Sequence, residues 1–385
     1  MPDTYTETTR QSYFSRLGAS IKGIVGGLVL FLAGFPVLFN NEGCAVRRAR
    51  ALDEGEKSAI SVSADEIDPA NEDRLVHFAG EAVTDEVLVD EDFGISVTGR
   101  LSLIRSVEMF QWVESSRSKT TKNTGGSTTT TTTYSYERKW SDAFVDSSEF
   151  KHPEGHENPA GMPVEGKRLY GKDVHVGAFL IPGTSVRSIG EPVEIAIAPS
   201  ATNAPSWLGA AATRIPSGWF ASADGKSAPG NPSVGDVRVT FRSTPRSEAT
   251  FVAKQTHNSI AGYMTRNGSI MLQRDGIHTM EEMFESARQA NSIRTLLVRI
   301  GGFLCFFFGI AMVLKPLSVL ADVIPFLGNV VGAGTGFVAF LAALVCWLAT
   351  VAVAWLFYRP LVGVPLLLAA IALAVLLVRR TRHRA

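Results

Sequence analysis

GIVGGLVLFLAGFPVLF, Gly23 to Phe39, carries no charged side chain. A helix of about 20 apolar residues crosses a hydrocarbon core roughly 30 Å thick, so this stretch reads as a membrane span and decides the class of the whole chain. Charge vanishes again from Ile300 to Leu314, Gly334 to Phe357 and Leu361 to Val378. Four transmembrane helices follow. The second borrows Leu296 to Val298 at its start, with Arg299 close enough to an end to snorkel toward water.

Outward from the first span, Arg10, Arg16 and Lys22 precede it, and no small-x-small cleavage site follows closely. It therefore reads as a retained signal anchor. Cys44 does not make a lipoprotein, because Asn41-Glu42-Gly43 before it lacks the aliphatic residue such processing wants. Cys305 and Cys346 fall inside predicted spans, so the three cysteines build neither a disulfide framework nor a CxxC metal site. The 37 basic and 37 acidic residues cancel. That balance removes the clustered positive field a nucleic-acid partner needs.

Short basic flanks stay cytoplasmic, and the tail Arg379, Arg380, Arg382, Arg384 is the strongest. With four spans the amino terminus shares that side. Arg47, Arg48 and Arg50 oppose it, but they open a long domain, and long domains largely escape the charge rule. The expected organisation is a cytoplasmic segment (1–20), span one (21–39), a periplasmic or luminal β-rich domain (40–292) and span two (293–314). An interfacial connection (315–333) then leads to spans three (334–357) and four (361–378) and a basic tail (379–385). The fold class is thus an α+β membrane protein with a large β-rich soluble domain inserted between helices 1 and 2. Pro316 and Pro325 break the 315–333 connection, with Asp322 at the water edge and a re-entrant hairpin as the alternative.

Within the domain, VRVTF alternates Val237, Val239 and Phe241 against Arg238 and Thr240, the period of a half-buried strand. Arg74–Gly80, Phe93–Gly99, Ser247–Gln255 and Gly268–Gln273 read as strands too, with Asn267-Gly268 as a hairpin turn. Ala204 to Asp236, rich in Gly and Pro, reads as mostly loop. Between Val107 and Trp140, VEMFQWVESSRSKTTKNTGGSTTTTTTYSYERKW places two aromatic strands around Thr128–Thr133. Closing about 20 residues rather than about 4 costs roughly 1.4 kcal/mol, which two or three cross-strand pairs offset. The threonine run is then the polar tip of a long hairpin, with a glycosylated stalk or a partner-binding tip as alternatives. Thr279 and Glu282 form a capping box ahead of Met283, Phe284 and Ala287, and no proline intervenes before Ile300. One helix should run from about Met280 into span two.

Chemistry is sparse. His152 and His156 have zinc-pair spacing, but Pro153 and Gly155 prevent the helix that would align them, so they read as solvated or capping side chains in a turn. GTSVRSIG lacks the glycine a nucleophile elbow needs after Ser185. No catalytic residue, metal site or cofactor is assigned, and the expectation is a protein that is not an enzyme. Gly23, Gly27, Gly332 and Gly336 have GxxxG spacing and are candidate helix-packing positions, within the chain or between chains. Trp112, Tyr134, His156, Glu165 and Asp236 are candidates for a domain surface or pocket.

NEGCAV after span one, NEDRLVHFAG at Asn71, VEMFQWVE, YSYERKW, GHENPAGMPVE at Gly155, VGDVRVTF at Val234 and WLFYRPL at Trp355 run in order along nearly the whole chain. Together they resemble the LUMA family, the transmembrane protein 43 family. Cys44 departs from the arginine usual there, and the Gly-Thr-rich hairpin departs from the more charged one of animal members. The resemblance implies four spans with a luminal domain between the first two. It also implies residence in the endoplasmic reticulum and inner nuclear membrane for eukaryotic members, self-association, and organisation of membrane complexes with lamins and emerin. A bacterial relative, in the inner membrane, would lack those partners. The expected function is a membrane scaffold whose partners are lipids, itself and other membrane proteins. The alternative is a lipid- or envelope-ligand-binding module or enzyme at the membrane surface; a channel would need a polar path built by several subunits.

Overall fold

The computed structural model describes residues 3–197, 208, 212–365 and 368. β1 (Asp3–Gln11) turns at Ser12 into α1 (Tyr13–Ser58), followed by β2 (Ile60–Ser61), β3 (Leu75–Val83), β4 (Val87–Asp90) and β5 (Ile95–Thr98). The longest strands, β6 (Ser102–Lys122) and β7 (Thr128–Ser141), precede β8 (Lys167–Tyr170), β9 (Val174–Val176), β10 (Phe179–Ile181), α2 (Gly183–Val186) and β11 (Val193–Glu194). Next come β12 (Ala212–Ile215), β13 (Gly218–Ala221), β14 (Val237–Thr244) and β15 (Ser247–Thr256). The domain ends with β16 (Ser259–Ala261), β17 (Tyr263–Thr265), β18 (Gly268–Ile270) and β19 (Leu272–Asp275). Two long helices finish the described chain, α3 (Met280–Ala321) and α4 (Pro325–Tyr358).

Among the described residues the domain has, besides two separate hairpins, β4–β5 and β17–β18, two large sheets. In one, β15 pairs with both β3 and β16, and β3, β9, β10 and β16 complete the circuit into a small closed barrel. Alternation sends Phe78, Phe179 and Phe251 inward, with ring centroids 4.1 Å apart for Phe78–Phe179 and 5.5 Å for Phe78–Phe251. The other sheet runs β1-β7-β6-β14-β13-β12 and buries Val107, Met109, Trp219, Val239 and Phe241 under the β4–β5 hairpin. Here the stretch read as loop contains the hairpin β12–β13, whose Trp219 and Phe220 are core residues. The β17–β18 turn is Arg266-Asn267, one residue earlier than expected, since Thr265 pairs with Gly268.

α1, α3 and α4 are long and apolar enough to cross a membrane. The expected fourth span lies mostly outside the described residues. α1 and α3 do not stop at the bilayer. Each continues into the domain, where Ala51 and Leu52 of α1 and Met283 and Phe284 of α3 pack with Leu75, Val252 and Ile270. At Gly55 a Cβ would come within 2.3 Å of the end of the Ile270 side chain, so a larger residue there would require Ile270 to move.

The helix expected from Met280 is present, with its capping box: the Thr279 amide donates to the Glu282 carboxylate (3.0 Å) and the Glu282 amide donates to Thr279 Oγ1 (3.2 Å). Thr279→Ala should cost about 1 kcal/mol and fray this turn. Amide exchange over Met280–Phe284 would read the fraying, and unchanged protection would refute it.

The separate 315–333 connection is not seen. α3 runs through Pro316 to Ala321, a three-residue turn follows, and Pro325 begins α4. A proline at the first helical position lacks only an amide that has no partner there, whereas Pro316 is tolerated inside a helix packed on neighbours.

Candidate interaction site

Three places along the helices and the long hairpin gather polar side chains. At the domain end of the bundle, Arg299 of α3 donates to both Glu42 oxygens of α1 (2.6 and 2.8 Å), and Trp355 Nε1 of α4 donates to Glu42 Oε2 (3.0 Å). Trp347 Nε1 caps the Arg299 carbonyl at 3.0 Å. Glu42 is fully buried. Arg299 therefore does not snorkel to water as expected; it ties three helices together around a carboxylate from beyond span one.

At the opposite end, Arg16 of α1 donates to the Asp322 carboxylate and to the Gly126 carbonyl of the hairpin tip. Lys122 Nζ donates to Asp322 Oδ1 (2.6 Å) and Asn329 Oδ1 (3.0 Å), and the Gly125 amide donates to the Val323 carbonyl (3.0 Å). Asp322 is 1% exposed, buried under two cations rather than lying at the water edge. Gly126, at φ 78°, lies against the Tyr13 ring and leaves no room for a Cβ.

The hairpin bridges these ends. Its turn is only Asn123–Ser127, and the threonine run expected at the tip is instead strand β7, paired from Thr128↔Lys122 up to Ser141↔Met109. Threonine is β-branched and suits a pleated surface as well as a loop, which is why composition alone pointed the other way. β7 is also paired on its second side. β1 runs antiparallel to it from Asp3↔Tyr136 to Gln11↔Thr128. The pairing corrects the expected separation of residues 1–20 from 40–292: the N-terminal strand belongs to the domain's sheet, and the tip of that sheet meets the α3–α4 turn.

Where the ribbon leaves the domain, His156 is buried, with Nε2 3.0 Å from Asp3 Oδ2 and Nδ1 3.0 Å from the His152 carbonyl. It stacks on Tyr136 (4.0 Å) and meets the Trp112 ring edge-on (4.8 Å). His156 is thus packed in aromatic rings rather than solvated. Among the described residues no group of three His, Cys, Asp or Glu is placed to hold a metal. The Tyr136 hydroxyl donates to Glu114 Oε2 (2.7 Å) and accepts from the His152 amide (3.1 Å); burial first, then the Glu114 carboxylate, pushes its pKa up to about 12. A phenol raised above its unfolded value of about 10 contributes stability that is complete below that pH and lost as pH climbs toward the folded value. Alkaline titration of phenolate absorbance should therefore show one tyrosine ionising with loss of structure, absent in Tyr136→Phe. Ionisation of all tyrosines near pH 10 would contradict it.

The other candidates scatter. Tyr134 pairs across from Tyr5, Glu165 is exposed and offers its carbonyl to Arg105, and Asp236 is buried, accepting the Ala223 and Ser233 amides in a turn. They form no common pocket with His156. Of the glycines, Gly27 meets the Gly309 carbonyl of α3 and Gly332 meets Ser318, while Gly23 and Gly336 face open space. A groove of about 570 Å³ between α1, α3 and β19 is lined by Asn41, Cys44, Arg48, Met283, Asn291 and Arg294 among others; sequence reading missed it because its residues come from three distant segments.

The comparisons follow this architecture. The sequence profile of transmembrane protein 43 matches residues 109–360, from inside β6 through α4. The rat protein named transmembrane protein 43 is 31% identical over 98% of this chain and 94% of its own length. The chain belongs to the transmembrane protein 43 family. The human family member is 31% identical over 97% of this chain and 94% of its own length, and a Drosophila homolog is 30% identical over 89% and 90%. The alignment with the rat member spans nearly the whole of both chains, so the inserted domain and the flanking helices are shared as one unit. No solved structure matches this family member significantly.

Proposed function

We propose that this chain is a multi-pass membrane scaffold that self-associates and organises other membrane proteins without catalysing a reaction. The observation that carries this reading is the continuity of α1 and α3 from the bilayer into the domain core, where Leu52 and Phe284 are fully buried. A domain mounted on two unbroken helices is held at a fixed height and orientation over the lipid, as a platform for partners must be. Gly23 and Gly336, open in the apolar helices, leave close-approach surfaces for a neighbouring helix. The membrane would be the cytoplasmic one in a bacterium, or the endoplasmic reticulum and inner nuclear membrane in a eukaryote.

Mild-detergent purification from native membranes, with mass analysis of retained proteins and lipids, tests this. A stoichiometric oligomer with other membrane proteins is the expected result. A single chain carrying one enriched lipid would instead favour a lipid-binding module, for which the Arg48–Arg294 groove beside the bilayer is the site.

A further inference from the structure

Among the described residues the ribbon β1-β7-β6 has two open edges: β7 is paired on both sides, whereas β1 has a partner on one side only. The outer edge of β6 is covered by β14 as far as Met109 and by Gly235 and Asp236 at Phe110, while β8 lies on the edge that β7 continues; Asn158 then bonds both the amide and the carbonyl of Trp112. Beyond that point the edge has no partner among the described residues. Alternation of the antiparallel ladder turns the backbone N–H and C=O of Glu114, Ser116, Ser118 and Thr120 outward on β6, and those of Thr4, Thr6, Thr8 and Arg10 outward on β1.

These edges lie at membrane depth. The tip is pinned to Arg16, Asp322 and Val323, and the domain is pinned to Leu52 and Phe284 at the other end of the same helices. The ribbon therefore passes the apolar segments of α1 and α3, and its last eight to ten residues span about 30 Å, the length of a transmembrane strand. Open sheet edges do not exist in hydrocarbon, where each unpaired backbone group costs several kcal/mol; only closed barrels satisfy them.

The two faces of the ribbon differ. One carries neutral hydroxyls bonded to each other, Ser118 to Thr132 (2.8 Å) and Thr120 to Thr130 (2.9 Å), and at its end Lys122 reaches the helices through Asp322. Its carboxylate Glu7 is matched by Lys151 at 2.9 Å. The opposite face holds Arg117, Lys119 and Arg10 among threonines, all three cations exposed. At this depth a cation facing lipid costs about 2–4 kcal/mol, while one facing a watery lumen does not.

We propose that β1 of one copy pairs with the free stretch of β6 of the next, closing a membrane-depth β-barrel with Arg117 and Lys119 inside and the helices outside. The occupant of each edge is a second copy of this chain. Copies inserted in one direction are related by an axis along the membrane normal, and β1 and β6 both run from domain to tip, so the new pairing is parallel and propagates into a ring. About six copies would supply roughly eighteen strands, the size at which barrels hold water. The inference rests on the self-association argued above.

The full-length chain, with Cys44, Cys305 and Cys346 replaced by serine or alanine, is embedded in liposomes and given one cysteine on each edge, on the same face of the sheet: Thr6→Cys with Ser115→Cys, Arg117→Cys or Lys119→Cys. Oxidation should yield a ladder of disulfide-linked chains ending at the ring size, with one register favoured at least about tenfold, because register is fixed where faces differ. In single-cysteine chains a membrane-impermeant maleimide should label Arg117→Cys and Lys119→Cys at least about tenfold faster than Ser118→Cys and Thr120→Cys, since alternate residues face opposite sides. Oligomers under a general amine crosslinker, with no edge-to-edge disulfide in any of these pairs, would overturn the barrel and leave the scaffold intact. Monomers alone would overturn both, and equal labelling of the two faces would overturn the placement of Arg117 and Lys119 in a lumen.

Discussion

Glu42→Ala should destabilise the helix bundle by about 3–5 kcal/mol, the cost of leaving a buried charged partner uncompensated. The loss falls on three helices at once, because Arg299 loses both of its bonds to the carboxylate and Trp355 loses its acceptor. Denaturant titration of the purified protein in mild detergent would measure it, with tryptophan fluorescence reporting Trp347 and Trp355 directly. The sharper comparison is Glu42→Leu combined with Arg299→Met. Replacing both members of a buried pair by apolar groups of similar size is often neutral or stabilising, so the double substitution should recover most of the loss. If the double variant were as unstable as the single one, the Glu42–Arg299 pair would not be what holds this end of the bundle.

Gly309→Leu should also destabilise the bundle, where α1 and α3 approach through their backbones. The added Cβ would stand 2.8 Å from the Gly27 carbonyl and the Phe31 amide and 2.9 Å from Phe31 Cα, all backbone atoms of α1 that no rotamer change can move. The helices must separate, and overpacking of this kind costs about 1–3 kcal/mol or more where relaxation is blocked. Gly336→Leu is the matched control. It adds the same side chain where nothing lies within 4 Å, so the isolated chain should keep its stability. Melting of both variants in detergent decides between them; a Gly309 variant as stable as the Gly336 variant would disprove the close α1–α3 approach.

How much of this was legible in the sequence depended on the range of the interaction. Three apolar helices could be read because charge is absent over a local window, and the unbroken α3 because the Thr279–Glu282 box and the lack of proline before Ile300 are local too. The strands around Val237 and Ser247 showed their alternation. β1 did not announce itself. DTYTETTRQ is polar on both faces, and its pairing with Thr128–Tyr136 is set by a partner distant in sequence. For the same reason composition points to a tip for the threonines and to the water edge for Asp322, whose partners Arg16 and Lys122 come from α1 and from the hairpin. Of the site candidates, Trp112 and His156 do meet, whereas Glu165 and Asp236 have partners of their own. Nothing local distinguishes a buried histidine in an aromatic cage from a solvated one in a Pro-Glu-Gly turn.

The place of β1 also sets a schedule for biogenesis. Thr8 precedes α1, but its partner Thr131 is made only after α1 and the domain's strands β2 to β6. α1 must therefore enter the lipid while the strand ahead of it is still unattached, and the sheet can be completed only from its late side. Residues 3–11 precede α1 yet are fixed only once β7 exists, which makes them the checkpoint of assembly: a subunit in which they are held back is otherwise finished but lacks its outermost strand.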